Sequence, residues 1–344
     1  MKKTILYILL AIVLVVLPFG AACKSSSTST ATGVIELTIN DHDPPQSTIV
    51  SAWKDWVSWI EQESGGKLKI NYVPGGALYT GDEAFRAVKE GAVDGAHYVV
   101  DKEDGFLLNL VMSLPFMGWK EQHVESKFKA LLDKFPEMQK EWEGVTIISL
   151  MMMPPTQLHT TSKAVKTPAD LKGLRIMGAE TMTISAIQVA GGTTVELPIT
   201  DMTPSLQTNL IDGVINHFPV CGIFGAFEFL KYHTVFGSGG INMTPMFFIM
   251  NTKKFNSLPK DIQDLLKRSG DVWLQKHTEW DNVSYNQAME KTQGHTFINL
   301  TPDEIKVWYN LVKEPIHEKW IKECEDKGLP GRKVYEEALK LASQ

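Results

Sequence analysis

From residue 34 onward, the hydrophobic and polar positions alternate between strand-like and helix-like segments. Residues 34–39 have strand composition and are followed by the chain-breaking run at 41–45. Apolar residues then recur at helical spacing: Ile49, Trp53, Trp56 and Ile60. A second strand pattern covers residues 67–73. This succession predicts β-α-β units, and therefore a mostly parallel sheet covered by helices, with the tryptophans in its core.

One pattern occurs twice along the chain. Gly75-Gly76 leads through a helical stretch to Asp94-Gly95 and an apolar strand, and Gly191-Gly192 leads in the same way to Asp212-Gly213. The offsets are 116 residues for the glycine pairs and 118 for the Asp-Gly pairs. Because the offsets agree, we expect two similar α/β lobes. Ligands of parallel sheets bind beyond the carboxyl ends of strands, so the cleft between the lobes is the predicted site.

The first 22 residues have the pattern of a secretory signal. Lys2 and Lys3 precede an apolar run at 5–19 that is short for a membrane-spanning helix. The small residues after it end at Cys23, as in bacterial lipoprotein cleavage sites, although Gly20 stands where those sites usually carry leucine. We expect a signal peptide over 1–22, lipid attachment at Cys23 and a flexible tether over 23–33. Ordinary cleavage that leaves Cys23 as a free thiol is the alternative.

Charge and cysteine content exclude several classes of protein. The net charge is -6 with no Lys/Arg-rich run, so no nucleic-acid partner is expected. Cys221 and Cys324 could pair in an oxidising compartment or remain buried thiols, and their spacing does not decide between these. The sequence contains no CxxC, HExxH or phosphate-loop pattern. Cys221 lies in an apolar run, so we expect it to be inert, and we predict no cofactor.

Residues 166–176, KTPADLKGLRI, resemble the KTPEDLKGLKIR segment of the solute-binding proteins of TRAP transporters, the DctP type. Further segments that agree in order are 114–116, 212–213, 231–234, 250–251 and 256–259. The resemblance implies a two-lobed periplasmic binding protein fold of class α/β, with parallel or mixed sheets, an interlobe cleft and a long helix that spans both lobes. Lobe I would comprise 34–157 plus about 245–283, and lobe II 158–244 plus about 284–344.

The same resemblance implies a function. The protein would capture a small organic molecule in the cleft, outside the cytoplasm, and deliver it to a separate TRAP permease in the membrane. A lipoprotein that feeds an extracytoplasmic sensor kinase would have the same fold and cleft, so this alternative stays open. An extracytoplasmic enzyme would need a nucleophile with its base, or paired catalytic carboxylates, and we recognise no such arrangement in the sequence.

Members of this family usually place an arginine after the isoleucine of the KTP segment, where it forms a two-pronged salt bridge with the ligand carboxylate. In this chain that position is Met177. Arg175 lies on the same face of the strand but about 6 to 7 Å away, and we expect it to be a surface or lobe-edge charge. A carboxylate closed into a cleft without a cation is costly. We therefore expect a ligand that is neutral or apolar where relatives bind an acid, with Met177 lining the pocket.

Strand ends supply the other expected ligand contacts. Asn216 matches a family pattern in which the amide hydrogen-bonds the ligand, and an amide also serves neutral ligands. Asp43 and Glu180 could accept hydrogen bonds from an amine or hydroxyl. Gln157 lies near the position of a second basic residue of the family. The complete set of expected contacts is Met177, Asn216, Gln157, Tyr98, Asp43, Glu180 and Phe218.

Histidines near these strand ends raise the question of a metal. His42, Asp43, His97 and His217 could form a cluster, but they lie on three separate loops, and histidines scattered in this way carry little signal. The methionines at 151–153 are typical of a buried strand rather than of a copper site. No metal site is therefore predicted.

Overall fold

A computed structural model describes residues 33–100, 104–119, 123–178 and 180–344. The predicted signal peptide, the lipid-attachment residue Cys23 and the tether up to residue 32 lie outside the described residues. Val34–Gln344 form one compact unit. In this described part, no helix combines the length and the apolar composition that crossing a membrane requires.

The first sheet contains five strands: β1 (Ile35–Asn40), β2 (Leu68–Val73), β3 (Gly95–Val99), β4 (Val145–Met152) and β10 (Pro245–Asn251). Their order is β2-β1-β3-β10-β4. β1 pairs in parallel with β2 and β3, whereas β10 is antiparallel to both of its neighbours. Helices α1 (Thr48–Glu63) and α2 (Gly81–Glu90) connect the first three strands, which confirms the predicted β-α-β start.

The second sheet contains six strands: β5 (Gln157–Thr160), β6 (Arg175–Gly178), β7 (Thr193–Glu196), β8 (Gly213–Asn216), β9 (Tyr232–Val235) and β11 (Thr296–Asn299). Their order is β11-β9-β5-β8-β6-β7. β6 is parallel to β7 and β8, and β5 is antiparallel to β8 and β9. Both sheets are therefore mixed, as predicted.

The remaining helices cover these sheets: α3 (Val124–Lys134), α4 (Pro136–Glu141), α5 (Thr181–Val189), α6 (Met202–Gln207), α7 (Phe218–Ile223), α8 (Thr252–Ser257), α9 (Lys260–Lys291), α10 (Pro302–Asp326) and α11 (Gly331–Ala342). Short 3-10 helices lie at Leu108–Ser113, Pro168–Leu171, Ile199–Asp201 and Ala226–Glu228. The 32-residue helix α9 contacts α1 and β4 on the side of the first sheet and α7 on the side of the second. It is the long helix that the resemblance predicted.

The C-terminal helices contact elements that we assigned to lobe I. α11 packs against α3 and the 3-10 helix at Leu108–Ser113. From α10, the indole of Trp320 donates a hydrogen bond to the Leu107 carbonyl at 2.8 Å, and the His317 ring donates to the Pro115 carbonyl at 2.7 Å. Our prediction that about 284–344 belongs to lobe II does not account for these contacts, and the lobe boundaries stay a prediction.

The two Asp-Gly pairs begin β3 and β8 in the same way. The Asp94 carboxylate accepts a hydrogen bond from the Thr38 N–H of β1 at 2.8 Å, and the Asp212 carboxylate accepts one from the Arg175 N–H of β6 at 2.9 Å. A Cβ at Gly95 would lie 2.8 Å from the Ile249 carbonyl oxygen, and one at Gly213 would lie 2.5 Å from that of His159. The repeated sequence pattern therefore corresponds to a repeated backbone arrangement, in which glycine permits the close approach of an antiparallel strand.

The predicted core tryptophans are confirmed. Trp53 and Trp56 are fully buried, and both make edge-to-face contacts with Phe248 of β10. The Trp56 indole donates a hydrogen bond to the Ser269 carbonyl of α9 at 3.2 Å. Helix α1 is therefore held between the first sheet and the long helix, and this fixes the position of the loop that precedes α1.

Candidate functional site

The loop that follows β1 is held by the glycine pair that follows β2. Gly75 and Gly76 adopt φ angles of 81° and 64°, a region that glycine enters without a Cβ clash. Their N–H groups donate to the Asp43 carbonyl at 2.8 Å and the Asp41 carbonyl at 2.9 Å. The Asp43 N–H donates in turn to the Asp41 carboxylate at 3.1 Å. Two acidic side chains are thereby fixed at the carboxyl end of β1.

His97 of β3 contacts both of these carboxylates. Its Nδ1 lies 3.1 Å from Asp41 Oδ1 and 3.0 Å from Asp43 Oδ2. His97 and Asp41 are fully buried, whereas the Asp43 side chain retains 13% exposure. The His42 ring stacks on the His97 ring, with 5.3 Å between their centroids. These four residues meet because β1 and β3 are adjacent parallel strands.

The charges in this cluster stabilise one another. Burial lowers the pKa of His97, but its hydrogen bonds to Asp41 and Asp43 outweigh burial and raise the pKa to about 9. Burial raises the pKa of Asp43, while His42 and His97 together lower it to about 2. The Tyr72 hydroxyl donates to Asp41 Oδ2, and burial together with the Asp41 charge raises the pKa of Tyr72.

Tyr98 lies on the opposite face of β3. Its side chain is 1% exposed, and its hydroxyl donates to the Asp104 carboxylate at 2.8 Å. Its ring packs near Phe85 and Phe106 in the core on that face. Because neighbouring residues of a strand point to opposite faces, His97 rather than Tyr98 is the β3 side chain that meets Asp43. A contact between Tyr98 and a ligand stays a prediction.

Met177 and Phe218 belong to a buried apolar cluster on the second sheet. Both are at most 5% exposed. Phe218 begins α7, and its ring lies 4.7 Å from the His159 ring. The cluster also contains Met202, Leu206, Ile211, Val214 and Cys221. Met177 thus packs against the helices that cover this sheet, and its contact with a ligand stays a prediction.

Arg175 is bound within the second sheet. Its Nε donates to Asp212 Oδ2 at 2.8 Å, and its Nη2 donates to Asp212 Oδ1 at 2.9 Å and to the Asn209 carbonyl at 2.6 Å. The Arg175 hydrogen bond lowers the pKa of Asp212, and the arginine side chain is 42% exposed. The guanidinium fork is therefore occupied by Asp212, which agrees with our expectation of an edge charge.

The remaining expected contacts differ in their partners. Asn216 accepts a hydrogen bond from the His217 N–H at 2.8 Å, while its Nδ2 makes none within the described part of the chain. The Gln157 amide accepts from the Phe236 N–H at 2.7 Å and donates to the Gly237 carbonyl at 3.2 Å, and its contact with a ligand stays a prediction. Glu180 Oε2 accepts from the Thr244 hydroxyl at 2.5 Å.

A row of histidines runs through the second sheet, and the sequence analysis did not anticipate it. His159 Nε2 lies 3.1 Å from the Asn216 carbonyl, and His159 Nδ1 lies 2.9 Å from His233 Nδ1. His233 Nε2 is 3.0 Å from His295 Nδ1, and His295 Nε2 is 3.1 Å from Lys231 Nζ. Burial lowers the pKa of His159 to about 3, so this ring is neutral.

The structure brings together four residues that could hold a metal ion, which the sequence analysis did not expect. One ligand atom from each of Asp41, His42, Asp43 and His97 lies within 4.8 Å of the others. His217, the other histidine that we considered, follows β8 of the second sheet and caps α7, where it accepts a hydrogen bond from the Val220 N–H at 3.4 Å. We predicted no metal because these residues lie on separate loops, but adjacency of β1 and β3 brings two of those loops together. The strand order was the missing signal.

Cys221 and Cys324 are buried free thiols, so the open question of their pairing is resolved. Burial raises the pKa of both thiols, that of Cys324 to about 12.

A cavity of about 200 Å³ lies between the start of α1 and the helices α7 and α9. The residues that line this cavity are Gln46, Thr48, Gly222, Ile223, Ser284, Gln287, Ala288 and Lys291, so none of the expected ligand contacts lines it.

The fold is that of a known class of binding protein. A marine metagenome TRAP solute-binding protein specific for aromatic acid ligands, solved with metahydroxyphenylacetate, is similar with a TM-score of 0.81. That similarity covers 90% of this chain and 98% of the other, at 22% sequence identity. The two mixed sheets and the long helix are therefore those of a two-lobed solute-binding protein.

Sequence comparison identifies the family. The model described as bacterial extracellular solute-binding protein, family 7, matches residues 39–323, so the chain belongs to this DctP family of TRAP solute-binding proteins, which are not enzymes. A solute-binding protein of Albidiferax ferrireducens is 23% identical over 266 residues, covering 76% of this chain and 78% of that relative. The C4-dicarboxylate-binding periplasmic protein DctP of Vibrio cholerae is 23% identical over 272 residues, covering 77% and 79%.

Proposed function

We propose that this receptor captures a small organic molecule in the cleft between its two sheets without an arginine–carboxylate bridge, and delivers it to a TRAP permease. The observation that carries the proposal is Met177 at the position where the family places arginine, together with the engagement of Arg175 by Asp212. Family membership supports the transport role. The lipid on Cys23 would hold the receptor at the membrane, with residues 23–33 as its tether.

The energetics disfavour a simple acid as the ligand. A hydrogen bond to a charged group contributes roughly 1.5 to 3 kcal/mol, and a buried carboxylate that lacks such a partner bears several kcal/mol of desolvation cost. The Arg175 fork is already occupied, and Nδ1 of His97 faces two carboxylates. An incoming acid would compete with Asp212 for the Arg175 guanidinium, and with Asp41 and Asp43 for the His97 ring.

A neutral ligand, or one with an amine, suits the same side chains. Asn216 Nδ2 can donate to a ligand oxygen, and Asp43, which keeps some exposure, can accept from a hydroxyl or amine. Met177 would supply an adaptable apolar contact. This receptor would therefore differ from the marine relative solved with an aromatic acid and from the Vibrio cholerae relative named for C4-dicarboxylates.

A matched ligand panel tests the proposal. The unit of residues 34–344 would be screened by thermal shift and calorimetry with sets of compounds that share one ring and carry a carboxylate, an amide, an alcohol or an amine. We expect the tightest binders to be neutral compounds or amines. Tight binding confined to the carboxylate member of each set would contradict the proposal.

Substitutions at Met177 sharpen this test. Met177→Arg should shift preference toward the acid of each set by about tenfold or more, since one charge-assisted bond contributes that much. Met177→Leu, which keeps the apolar volume of this buried position, is the control and should leave the preference unchanged. Circular dichroism would verify that both variants are folded.

Delivery to a permease is tested in cells. Uptake of the identified ligand should require both this receptor and the membrane subunits of a TRAP permease. If uptake is unaffected by loss of those subunits, while the ligand-loaded receptor changes the activity of an extracytoplasmic sensor kinase, the signalling alternative replaces the transport role.

A further inference from the structure

The cluster at the carboxyl ends of β1 and β3 has the composition of a transition-metal site. It combines two carboxylates, Asp41 and Asp43, with two imidazoles, His42 and His97. The carboxylate oxygens Asp41 Oδ1 and Asp43 Oδ2 both point at His97 Nδ1, at 3.1 and 3.0 Å. The set therefore converges on one volume rather than lying along a surface.

Buried imidazole nitrogens without partners are the second observation. Nδ1 of His42 and Nε2 of His97 are both shielded from solvent, and neither has a hydrogen-bond partner in the described part of the chain. Nε2 of His277, on a ring 5.9 Å from that of His97, shares this condition. Buried polar nitrogens of folded proteins nearly always have a partner. A metal beside the carboxylates would supply one to His42 Nδ1, whereas His97 would bind it through Nδ1, the nitrogen that faces Asp41 and Asp43.

We infer that Asp41, His42, Asp43 and His97 bind a divalent transition-metal ion of the zinc class. Two carboxylates balance the charge of a dication, and the imidazoles of His42 and His97 complete a four-ligand N₂O₂ set, which suits zinc; the ion displaces the proton that His97 Nδ1 shares with Asp41 and Asp43. Calcium and magnesium prefer oxygen ligands alone and fit this set poorly. Ligands of a tetrahedral zinc ion lie about 3.3 Å apart, so the loop at 41–43 closes by up to roughly 1.5 Å on binding.

The surroundings of the cluster already orient its ligands. The Tyr72 hydroxyl donates to the outer oxygen of Asp41, which leaves the inner oxygen, Oδ1, directed at His97. The Asp43 N–H and the glycine pair at 75–76 hold the loop backbone. Hydrogen bonds of this kind, made to metal ligands from outside, typically raise metal affinity by 10- to 100-fold. The metal would link the loop at 41–43, which follows β1, to His97 of β3, beside the predicted cleft.

Calorimetry with the metal alone tests the site, because no organic ligand is needed. The unit of residues 34–344, stripped with a chelator, should bind one Zn²⁺ and melt at a higher temperature when zinc is present. It should give the visible absorption of tetrahedral Co²⁺ when cobalt replaces zinc. Ca²⁺ should bind far more weakly than Zn²⁺. One Zn²⁺ bound in this way would support the site even if the ligand panel returned only acids.

Matched variants assign the ligands. His42→Gln and Asp43→Asn should each weaken zinc binding more than Tyr72→Phe, which should weaken it by about tenfold or more. His295→Gln removes an imidazole from the second sheet and should leave zinc affinity unchanged. The assignment fails if His42→Gln binds zinc as tightly as His295→Gln does, or if the unaltered protein shows no zinc binding. His42 is partly exposed, so its variant should fold, and circular dichroism would verify this.

Discussion

The two Asp-Gly pairs stand at the start of β3 and β8. These strands begin with the same backbone contacts, but the side chains at their carboxyl ends differ. At the start of each strand, an aspartate accepts a hydrogen bond from the N–H of a neighbouring parallel strand. Each aspartate also pairs with a cation, Asp94 with Lys254 at 3.1 Å and Asp212 with Arg175 at 2.8 Å. The glycine after it lies beneath a backbone carbonyl in both cases.

The strand ends differ in chemistry. β3 carries His97 toward Asp41 and Asp43, a buried and charged cluster. β8 ends at Asn216 and leads to Phe218, which packs in the apolar cluster that contains Met177. Close backbone contacts that are common to both halves constrain the residues at the start of each strand. Side chains at the strand ends are not under this constraint, so chemistry can diverge there while the scaffold is retained.

Acid should have the largest effect on stability. His159 and His217 are buried and neutral, and burial lowers the pKa of each to about 3. In the unfolded chain both take up a proton below about pH 6.5, while the folded protein does not until about pH 3. Stability therefore falls as the pH drops through 6.5, by roughly 2 kcal/mol for each histidine between pH 7 and pH 5.

The His217→Asn variant isolates one of these contributions. Asn can cap α7 as His217 does, but it does not titrate. Urea unfolding at pH 7 and pH 5 should show a loss about 2 kcal/mol smaller in the variant than in the unaltered protein. Equal losses in the two proteins would count against a buried neutral His217.

Alanine at either of the two repeated glycines should cost somewhat less than the two histidines do together. Gly213→Ala places a Cβ 2.5 Å from the His159 carbonyl oxygen, and Gly95→Ala places one 2.8 Å from that of Ile249. We expect a loss of about 3 kcal/mol in unfolding free energy at each position, somewhat larger at Gly213. Gly239→Ala is the control, because nothing lies within 4 Å of a Cβ there. A loss below about 1 kcal/mol at Gly213 would show that the strands can separate freely.

Removing the aspartate charge should have the smallest effect, and an equal one in both halves. Asp94→Asn and Asp212→Asn retain one oxygen acceptor for the neighbouring N–H but lose the ion pair, which is partly exposed to solvent in each case. We expect about 1 kcal/mol at each site by urea unfolding. A loss at one site alone would mean that the two turns are not equivalent.

Local sequence patterns were sufficient for the first strands and helix of the fold and for its repeated turns. The β-α-β start, the buried Trp53 and Trp56 and the Asp-Gly repeat depend on periodicity and turn chemistry within short windows. The division into two mixed sheets and the long helix came from the resemblance to the family. The boundaries between the halves were harder to predict, because α11 returns to contact α3 from a distance of about 200 residues.

The candidate site was less predictable, because it depends on which face of the sheet each side chain points to and on the order of the strands. β3 is buried on both faces, so its composition does not show whether His97 or Tyr98 faces the loop after β1. The gathering of Asp41, Asp43 and His97 requires knowing that β1 and β3 are neighbours. The partners of Gln157 are about 80 residues away in the sequence, where local patterns carry no information.

The row of histidines in the second sheet allows only one arrangement of its protons. A carbonyl only accepts, so His159 must carry its hydrogen on Nε2, and an ammonium only donates, so Nε2 of His295 must be bare. His233, between them, then donates through Nδ1 and accepts through Nε2. All three rings are locked as single tautomers whose dipoles add in one direction, from Lys231 at one end to the Asn216 carbonyl at the other.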